Sequence, residues 1–115
     1  KNYSGMIEAL KNKKIEFAFL TAMTYVVADE QAEIKVLLKK TWSNGPFYYS
    51  AIITSAKSKI KKISDLKGKT IAFVDEKSTS GYLYPQIELK KYKIDNKDFK
   101  NIVFSGNHAA SVEML

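Results

Sequence analysis

The sequence contains no cysteine and no arginine, and it has a single histidine, His108. Without cysteine, the chain forms neither disulfide bonds nor thiolate metal sites. One histidine cannot build a multi-histidine metal centre within one chain. No apolar run approaches the roughly 18 residues that mark a membrane-spanning helix, and the glycine spacing of a dinucleotide or nucleotide-phosphate loop is also missing. We therefore expect no metal and no cofactor.

The positive charge comes from lysine alone. All 19 basic side chains are lysines, and they give the chain a formal net charge of +7. Proteins that read nucleic acids favour arginine, because its guanidinium group makes bidentate contacts with bases and phosphates. The lysines here fall at helix ends and in turns, as in the run from Lys57 to Lys62, which is typical of a solvated surface. We expect no nucleic-acid partner; the alternative, a basic nucleic-acid-binding domain, would bind any polyanion with a steep dependence on salt.

The composition fits a folded domain. The 115 residues are 45% hydrophobic, which is enough to build the core of about one domain. The sequence starts at Lys1 without an initiator methionine, and Met114-Leu115 ends it within an apparent helix. These ends predict a piece of a longer protein, so the lack of a targeting segment says nothing of location.

The first half alternates between helical and strand patterns. Tyr3, Met6, Ile7 and Leu10 have the i, i+3, i+4, i+7 spacing of an amphipathic helix. Further along, the patterns predict a helix over 21–31, a turn over 43–46, and strands over 15–20, 33–38 and 47–54.

The second half opens with a basic linker and continues the alternation. We predict a short helix that is capped at Ser64 and ended by Gly68, then strands over 70–74 and 101–104, with Asn107 as the cap of a last helix. Strands that alternate with helices predict an α/β fold with largely parallel pairing.

The stretch VDEKSTSGYLYPQ, residues 74–86, joins a buried strand to a helix. The junction consists of Ser78, Thr79, Ser80 and Gly81, here called the tetrad. Unpaired backbone N–H groups, the positive end of a helix dipole and three hydroxyl groups favour an anion at such a place. Serine and threonine are also the usual helix caps. From the residues alone, an anion site and a plain N-cap both remain open.

Pro85 would lie in the second turn of this helix if Ser78 caps it. Proline lacks the backbone N–H and crowds the carbonyl group four residues earlier, which here belongs to Gly81. We therefore expect a kink, or a break between a first turn and a main helix.

Four segments together resemble one protein family. YSGMIEAL, FYYSAIIT, DLKGKTIAFVDEKSTSGYLYP and VFSGNHAASV occur in the order and spacing of the phosphate, phosphite and phosphonate substrate-binding proteins of ABC transporters. DLKGK before a strand is shared by many two-lobed solute-binding proteins. The tetrad followed by the glycine and histidine of SGNHAA is typical of the phosphonate type. The resemblance covers essentially all 115 residues.

The resemblance implies an α/β, periplasmic-binding-protein-like fold of type II, with two lobes and the ligand in the cleft between them. Residues 1–54 would be part of lobe one, 55–63 a basic linker in the hinge region, and 64–115 the first part of lobe two. A lobe that is cut short leaves sheet edges and apolar faces uncovered, so we expect the isolated fragment to self-associate.

The resemblance also implies a function. The protein would be the solute-binding component of an ABC importer, and not an enzyme. It would bind a small phosphorus oxyanion, interact with a membrane permease, and lie outside the cytoplasm, in a periplasm or as a cell-surface lipoprotein. The alternative is the extracellular ligand-sensing domain of a signalling receptor with the same fold. The residues themselves give catalysis little support, because STSG is not the G-x-S-x-G nucleophile elbow.

The family's anion site can be placed on this sequence by the resemblance. Ser78, Thr79 and Ser80 match the residues that donate hydrogen bonds to the phosphonate oxygens, and His108 matches the histidine that completes the site. Without the resemblance, His108 is more typical of a surface or capping residue.

Two tyrosines match the family's cleft tyrosines. Tyr3 matches one that faces the ligand from the other lobe, although on its helical stripe it could equally be a core residue. Tyr48 matches a second one, and because Tyr48 and Tyr49 would alternate faces on a strand, one should pack and the other face the cleft. The family's acidic residues for an amino group on the ligand lie beyond position 115, so amine recognition is not predicted.

Overall fold

The computed structural model describes residues 3–43 and 45–115. Its helices are α1 (Tyr3–Lys11), α2 (Ala22–Asp29), α3 (Tyr84–Lys91) and α4 (His108–Glu113), and its strands are β1 (Thr70–Phe73) and β2 (Asn101–Phe104). Short 3-10 turns span Ile63–Leu66 and Asn96–Asp98, and a π-helical turn spans Thr79–Leu83. Across these described ranges, no helix has both the length and the apolar composition to cross a membrane.

The two strands pair in parallel, as the sequence predicts. The register runs from Thr70 opposite Asn101 to Phe73 opposite Phe104, and the π turn and α3 form the crossover between the strands. Beyond β2, the backbone N–H of Ser105 donates to the carbonyl of Phe73 at 2.8 Å. The carboxyl ends of both strands therefore lie at the same edge of the sheet, where ligands of open α/β sheets usually bind.

The core lies between this pair of strands and α3. Its buried apolar side chains are Leu66, Ile71, Phe73, Leu89, Ile94 and Phe99. The ring of Phe73 meets Tyr82 edge-on at 5.1 Å and lies 6.2 Å from Phe104. Since each fully buried apolar side chain contributes about 1.5–3 kcal/mol, this cluster holds the second half of the chain together.

The amino end of the sheet is closed by Asp98. Gly68, at a φ of +70°, donates its N–H to the carbonyl of Asp98 at 2.6 Å. The carboxylate of Asp98 accepts from the backbone N–H of Asp95 at 2.9 Å and pairs with Lys67 at 3.2 Å. The Asp95 N–H first, and then the Lys67 ammonium group, lower the pKa of Asp98.

The short turn before β1 corrects one prediction. Ser64 lies inside the 3-10 turn, and the residue at the cap position is Lys62. The carboxylate of Asp65 accepts the N–H groups of Lys61 at 3.0 Å and Lys62 at 3.2 Å, and these bonds lower the pKa of Asp65. The aspartate reaches back to the start of the turn, so the turn does not need a serine cap.

The helices of the first half were predicted correctly. α1 begins at Tyr3 and buries Ile7 on the predicted stripe, and α2 follows the N-cap residue Thr21 and ends before Ala32. The two helices pack against each other. α2 buries Thr24 and Ala28, so one of its buried side chains is polar.

The predicted strands over 15–20, 33–38 and 47–54 are wrong for this structure. None of the three forms a strand within the described residues, and their apolar side chains are largely exposed, with Leu38 and Tyr49 each at 92%. A strand needs a hydrogen-bonding neighbour, and these segments find none in the described chain. The radius of gyration is accordingly 16.2 Å, against about 13 Å for a compact domain of this length.

Candidate functional site

The tetrad follows β1 and begins a helical segment. Ser78 has extended backbone angles, and its Oγ accepts the N–H of Gly81 at 3.0 Å, so it is the predicted N-cap. The N–H groups of Leu83 and Tyr84 donate five residues back, to the carbonyls of Ser78 and Thr79. This is the π-helical pattern, which is often found at functional sites.

The predicted break at Pro85 is confirmed. The π turn ends at Leu83 and α3 begins at Tyr84, which places the proline in the first turn of the new helix, where a missing N–H is tolerated. The carbonyl of Gly81 lies four residues before Pro85, and it accepts the N–H of Val74 at 3.0 Å instead. The proline therefore leaves no carbonyl unpaired, and the tetrad is tied to the end of β1.

Gly81 is required by close packing. A Cβ atom at this position would lie 2.4 Å and 2.5 Å from the Val74 side chain and 2.9 Å from Ser78 Oγ. Any larger residue would push the π turn away from β1. The sequence showed a glycine here but gave no sign of this contact, because it depends on how the turn folds back onto the strand.

The tetrad presents several hydrogen-bond donors. Ser78 and Thr79 are 1% and 3% exposed, whereas Ser80 is half-buried. Among residues 3–43 and 45–115, the N–H groups of Thr79 and Ser80 and the hydroxyl of Ser80 find no hydrogen-bond partner. The hydroxyl of Ser78 accepts from Gly81 and keeps its own proton for donation. These donors at a helix start are suited to an anion.

Three separate segments of the first half meet the tetrad or the residue before it. The Nζ of Lys77 donates to Ser4 Oγ at 2.6 Å. The N–H of Met23, in α2, donates to Thr79 Oγ1 at 2.8 Å, and the hydroxyl of Ser50 donates to the carbonyl of Ser80 at 2.6 Å. In the described parts of the chain, every hydrogen bond between residues 3–54 and 55–115 ends on residues 77–80.

The two predicted site tyrosines belong to segments that reach the tetrad or Lys77, the residue before it. Tyr3 is half-buried and precedes Ser4, the partner of Lys77. Tyr48 lies two residues before Ser50, and its ring stands 5.3 Å from Trp42 in a tilted pair. Tyr48 and Tyr49 are both exposed, at 42% and 92%, and they do not lie on a strand, so the predicted division into one packed and one cleft-facing tyrosine is not seen here.

His108 lies at the same sheet edge as the tetrad, but it is exposed and begins α4. Asn107 caps that helix as predicted, since its Oδ1 accepts the N–H of Ala110 at 2.9 Å. Gly106, at a φ of +81°, donates to the carbonyl of Val74 at 2.8 Å, which fixes this junction beside the end of β1. No hydrogen bond within the described residues joins His108 to the tetrad.

Sequence reasoning missed several residues around the tetrad. Thr21, Thr24, Lys77 and Ser50 all contact it or one another through hydrogen bonds. Thr21 carried a weak signal, as a threonine before a predicted helix. The others carried no signal for this region, because the bonds that join them across the two halves of the chain span 30 to 73 residues.

Other kinds of binding site in the described residues would be a metal-ligand cluster or a surface depression. The described residues hold no group of three or more metal-ligating side chains. An open surface depression of about 570 Å³ lies beside α3 and is lined by Tyr82, Leu83, Gln86, Lys90, Asp95, Asn96 and Lys97. No tetrad residue lines it.

Comparison with known proteins gives one consistent result. The family model described as "ABC transporter, phosphonate, periplasmic substrate-binding protein" matches residues 1–115. The phosphonates-binding periplasmic protein of Escherichia coli (strain K12) is 30% identical over 112 residues, which is 92% of this chain and 33% of that protein. The phosphate-import protein PhnD of Mycolicibacterium smegmatis is 28% identical over 122 residues, which is 96% of this chain and 38% of that protein. The chain thus spans about a third of the length of these relatives.

Proposed function

The chain belongs to the phosphonate-binding periplasmic substrate-binding family of ABC transporters, and from this premise we propose that its tetrad binds a phosphonate, phosphite or phosphate ion. The members of this family are binding proteins rather than enzymes. The convergence of α1, α2 and the segment around Ser50 on residues 77–80 carries the proposal. A plain helix cap would not need three distant segments around it.

The ligand oxygens would be held by donors of the tetrad. The N–H groups of Thr79 and Ser80 and the hydroxyls of Ser78 and Ser80 are available for this contact. Thr79 would contribute its hydroxyl proton by releasing its bond to Thr21 Oγ1, which at 3.4 Å is long. Hydrogen bonds to a charged oxygen are stronger than those between neutral groups, so the exchange favours the bound anion.

His108, Tyr3 and Tyr48 would complete the site. His108 lies at the start of α4, just after the neighbouring strand β2. It would donate a hydrogen bond to the anion from this second strand-to-helix junction. Tyr3 belongs to a segment that reaches Lys77, the residue before the tetrad, through Ser4, and Tyr48 to one that reaches Ser80 through Ser50. They would cover the ligand from the side of residues 1–54, which we propose as part of lobe one, with 55–63 as the linker and 64–115 as the start of lobe two.

We propose a two-lobed protein that closes on its ligand by a hinge motion and presents the closed form to a membrane permease. This places the protein outside the cytoplasm, either periplasmic or as a lipoprotein. The isolated 115-residue chain should associate with itself through its exposed apolar segments. Light scattering that shows a clean monomer at high concentration would contradict that expectation.

Calorimetry on the intact protein tests the function. Phosphate, phosphite, methylphosphonate and aminoethylphosphonate should be titrated separately, with sulfate as a control for any tetrahedral oxyanion. We expect at least one phosphorus ligand to bind more tightly than sulfate. Failure of all four to bind would refute the proposal.

Ser80→Ala is the most informative variant for the site. The Ser80 hydroxyl has no partner in the described chain, so its loss should leave the stability of the protein unchanged. Removing a donor to a charged group should weaken binding by about 1.5–3 kcal/mol, roughly tenfold or more. Thr70→Val is the matched control, since Thr70 is an exposed residue at the opposite end of β1. Equal affinity in both variants would leave the tetrad as a helix cap alone.

A further inference from the structure

Thr24 is buried like Ser78 and Thr79, yet it has no part in the proposed oxyanion site. In the part of the chain that the structure describes, the buried polar side chains are Thr24, Ser78 and Thr79, and Thr24 is 0% exposed. A hydroxyl group hidden from water costs free energy unless it is hydrogen-bonded. The partners of Thr24 therefore show what its burial achieves.

The hydrogen-bond directions around Thr24 follow from counting protons, since each hydroxyl group has one proton to donate. Thr24 Oγ1 donates to the carbonyl of Lys77 at 3.2 Å. It must then accept at 2.8 Å from Thr21 Oγ1, which in turn accepts from Thr79 Oγ1 at 3.4 Å. Thr79 Oγ1 accepts the N–H of Met23 at 2.8 Å.

These bonds form one directed sequence of donors, here called the hydroxyl chain: Thr79, Thr21 and Thr24. It begins at a backbone N–H in α2 and ends at the backbone carbonyl just before the tetrad. Each of the three hydroxyl protons is donated in one of these bonds, and hydrogen bonds linked in series strengthen one another. The hydroxyl chain therefore connects α2 to Thr79 of the tetrad and to Lys77, the residue before Ser78.

The hydroxyl chain also explains how α2 begins. Thr21 occupies the N-cap position, but its side chain makes no capping bond to its own helix. Thr79 supplies that bond from 56 residues away by accepting the Met23 N–H. The start of α2 and the tetrad therefore depend on each other for their positions.

We propose that Thr21 and Thr24 are positioning residues that set the geometry of the oxyanion site without touching the ligand. This inference rests on the proposed function of the tetrad. Thr24 fixes the carbonyl of Lys77, and so the peptide that leads into Ser78. Thr21 orients the hydroxyl of Thr79 by accepting its proton. At 3.4 Å, this is the longest bond of the hydroxyl chain, so it is the one that a ligand oxygen replaces.

The test compares Thr24→Val, Thr24→Ser and the parent, as the intact protein, with methylphosphonate and phosphate as titrants. Valine keeps the shape of threonine but removes the hydroxyl, whereas serine keeps the hydroxyl. Ile94→Val is the control for stability, because Ile94 is a buried core residue and has no hydrogen bond to the tetrad. Melting temperatures confirm that each variant is folded during the titration.

We expect Thr24→Val to weaken binding about fivefold, the loss that corresponds to one ordinary hydrogen bond. Thr24→Ser should bind within about twofold of the parent, and Ile94→Val should melt earlier without losing affinity. Parent-like affinity in Thr24→Val, or an equal loss in Ile94→Val, would overturn the positioning role while the oxyanion site stands. If the parent binds neither titrant, the site and the positioning role both fall.

Discussion

Residues 63–115 and residues 15–54 carry equally clear strand patterns, yet strands form in the first of these regions and not among the described residues of the second. β1 and β2 are each other's neighbour, and α3 covers the face that they share. The segments over 15–20, 33–38 and 47–54 have the same β-branched and aromatic residues but no neighbour in the described chain. The difference shows that side-chain pattern gives a tendency, and that a pairing partner decides the outcome.

The relatives suggest where the missing neighbours lie. They are about three times as long as the stretch that matches this chain. In the proposed two-lobed protein, the exposed segments would be the strands of lobe one, and the rest of the protein would supply their neighbours. The two regions should therefore differ strongly in strand formation and burial in the 115-residue chain, and this difference should disappear in the intact protein.

The largest effect should come from paired leucine substitutions. In the 115-residue chain, Leu89→Ala removes a side chain that is 0% exposed and should lower the free energy of unfolding by about 2–5 kcal/mol. Leu38→Ala removes a side chain that is exposed in the single chain, so at concentrations too low for self-association it should change the free energy of unfolding by less than about 0.5 kcal/mol. Urea unfolding of both variants measures the difference.

The same pair of substitutions in the intact protein sharpens the comparison. If the rest of the protein covers residues 33–38, Leu38→Ala should become costly there as well. If Leu38→Ala leaves the free energy of unfolding of the intact protein unchanged, residues 33–38 are exposed there too. The lack of a neighbour in the 115-residue chain would then not explain their exposure.

Gly81→Ala should have the next largest effect. The new methyl group would lie within 2.5 Å of Val74, and overpacking of this kind costs about 1–3 kcal/mol. Because the π turn holds the tetrad, affinity for a phosphonate should fall as well. An alanine variant with parent-like unfolding and binding would show that the turn is not packed as closely as described.

The smallest effect concerns Asp98, at the opposite end of the sheet from the tetrad. Its pKa is lowered by the Asp95 N–H and by Lys67, so its ionised form favours the folded state. That contribution is present above the unfolded pKa of about 3.9 and is lost as pH falls through the lower folded pKa. Asp98→Asn should therefore melt earlier than the parent at pH 7, and the difference should shrink in acid.

Glu33→Gln is the matched control for this pH experiment, since Glu33 is exposed and has no ion pair in the described residues. Its melting temperature should track the parent at every pH. A difference between Asp98→Asn and the parent that stays constant down to pH 2 would rule out the carboxylate as its cause.

Much of the second half could be predicted from the sequence, because its elements are joined by local signals. Ser78 and Asn107 cap helices as expected, and Pro85 separates the π turn from α3. The lack of strands in the described first half could not be predicted, since no local signal indicates whether a pairing neighbour is present. Thr24 and Lys77 escaped notice because their bonds depend on the folded arrangement of distant segments.

The most direct test of the oxyanion site is an NMR titration of the intact protein with methylphosphonate, followed through its backbone amide signals. The N–H groups of Thr79 and Ser80 have no partner in the described chain, so the bound anion should shift their signals most, together with that of His108. Amides beside the surface depression, such as Lys97, should barely move. Saturable shifts that centre on Lys97 and leave Thr79 and Ser80 unchanged would contradict the proposed site.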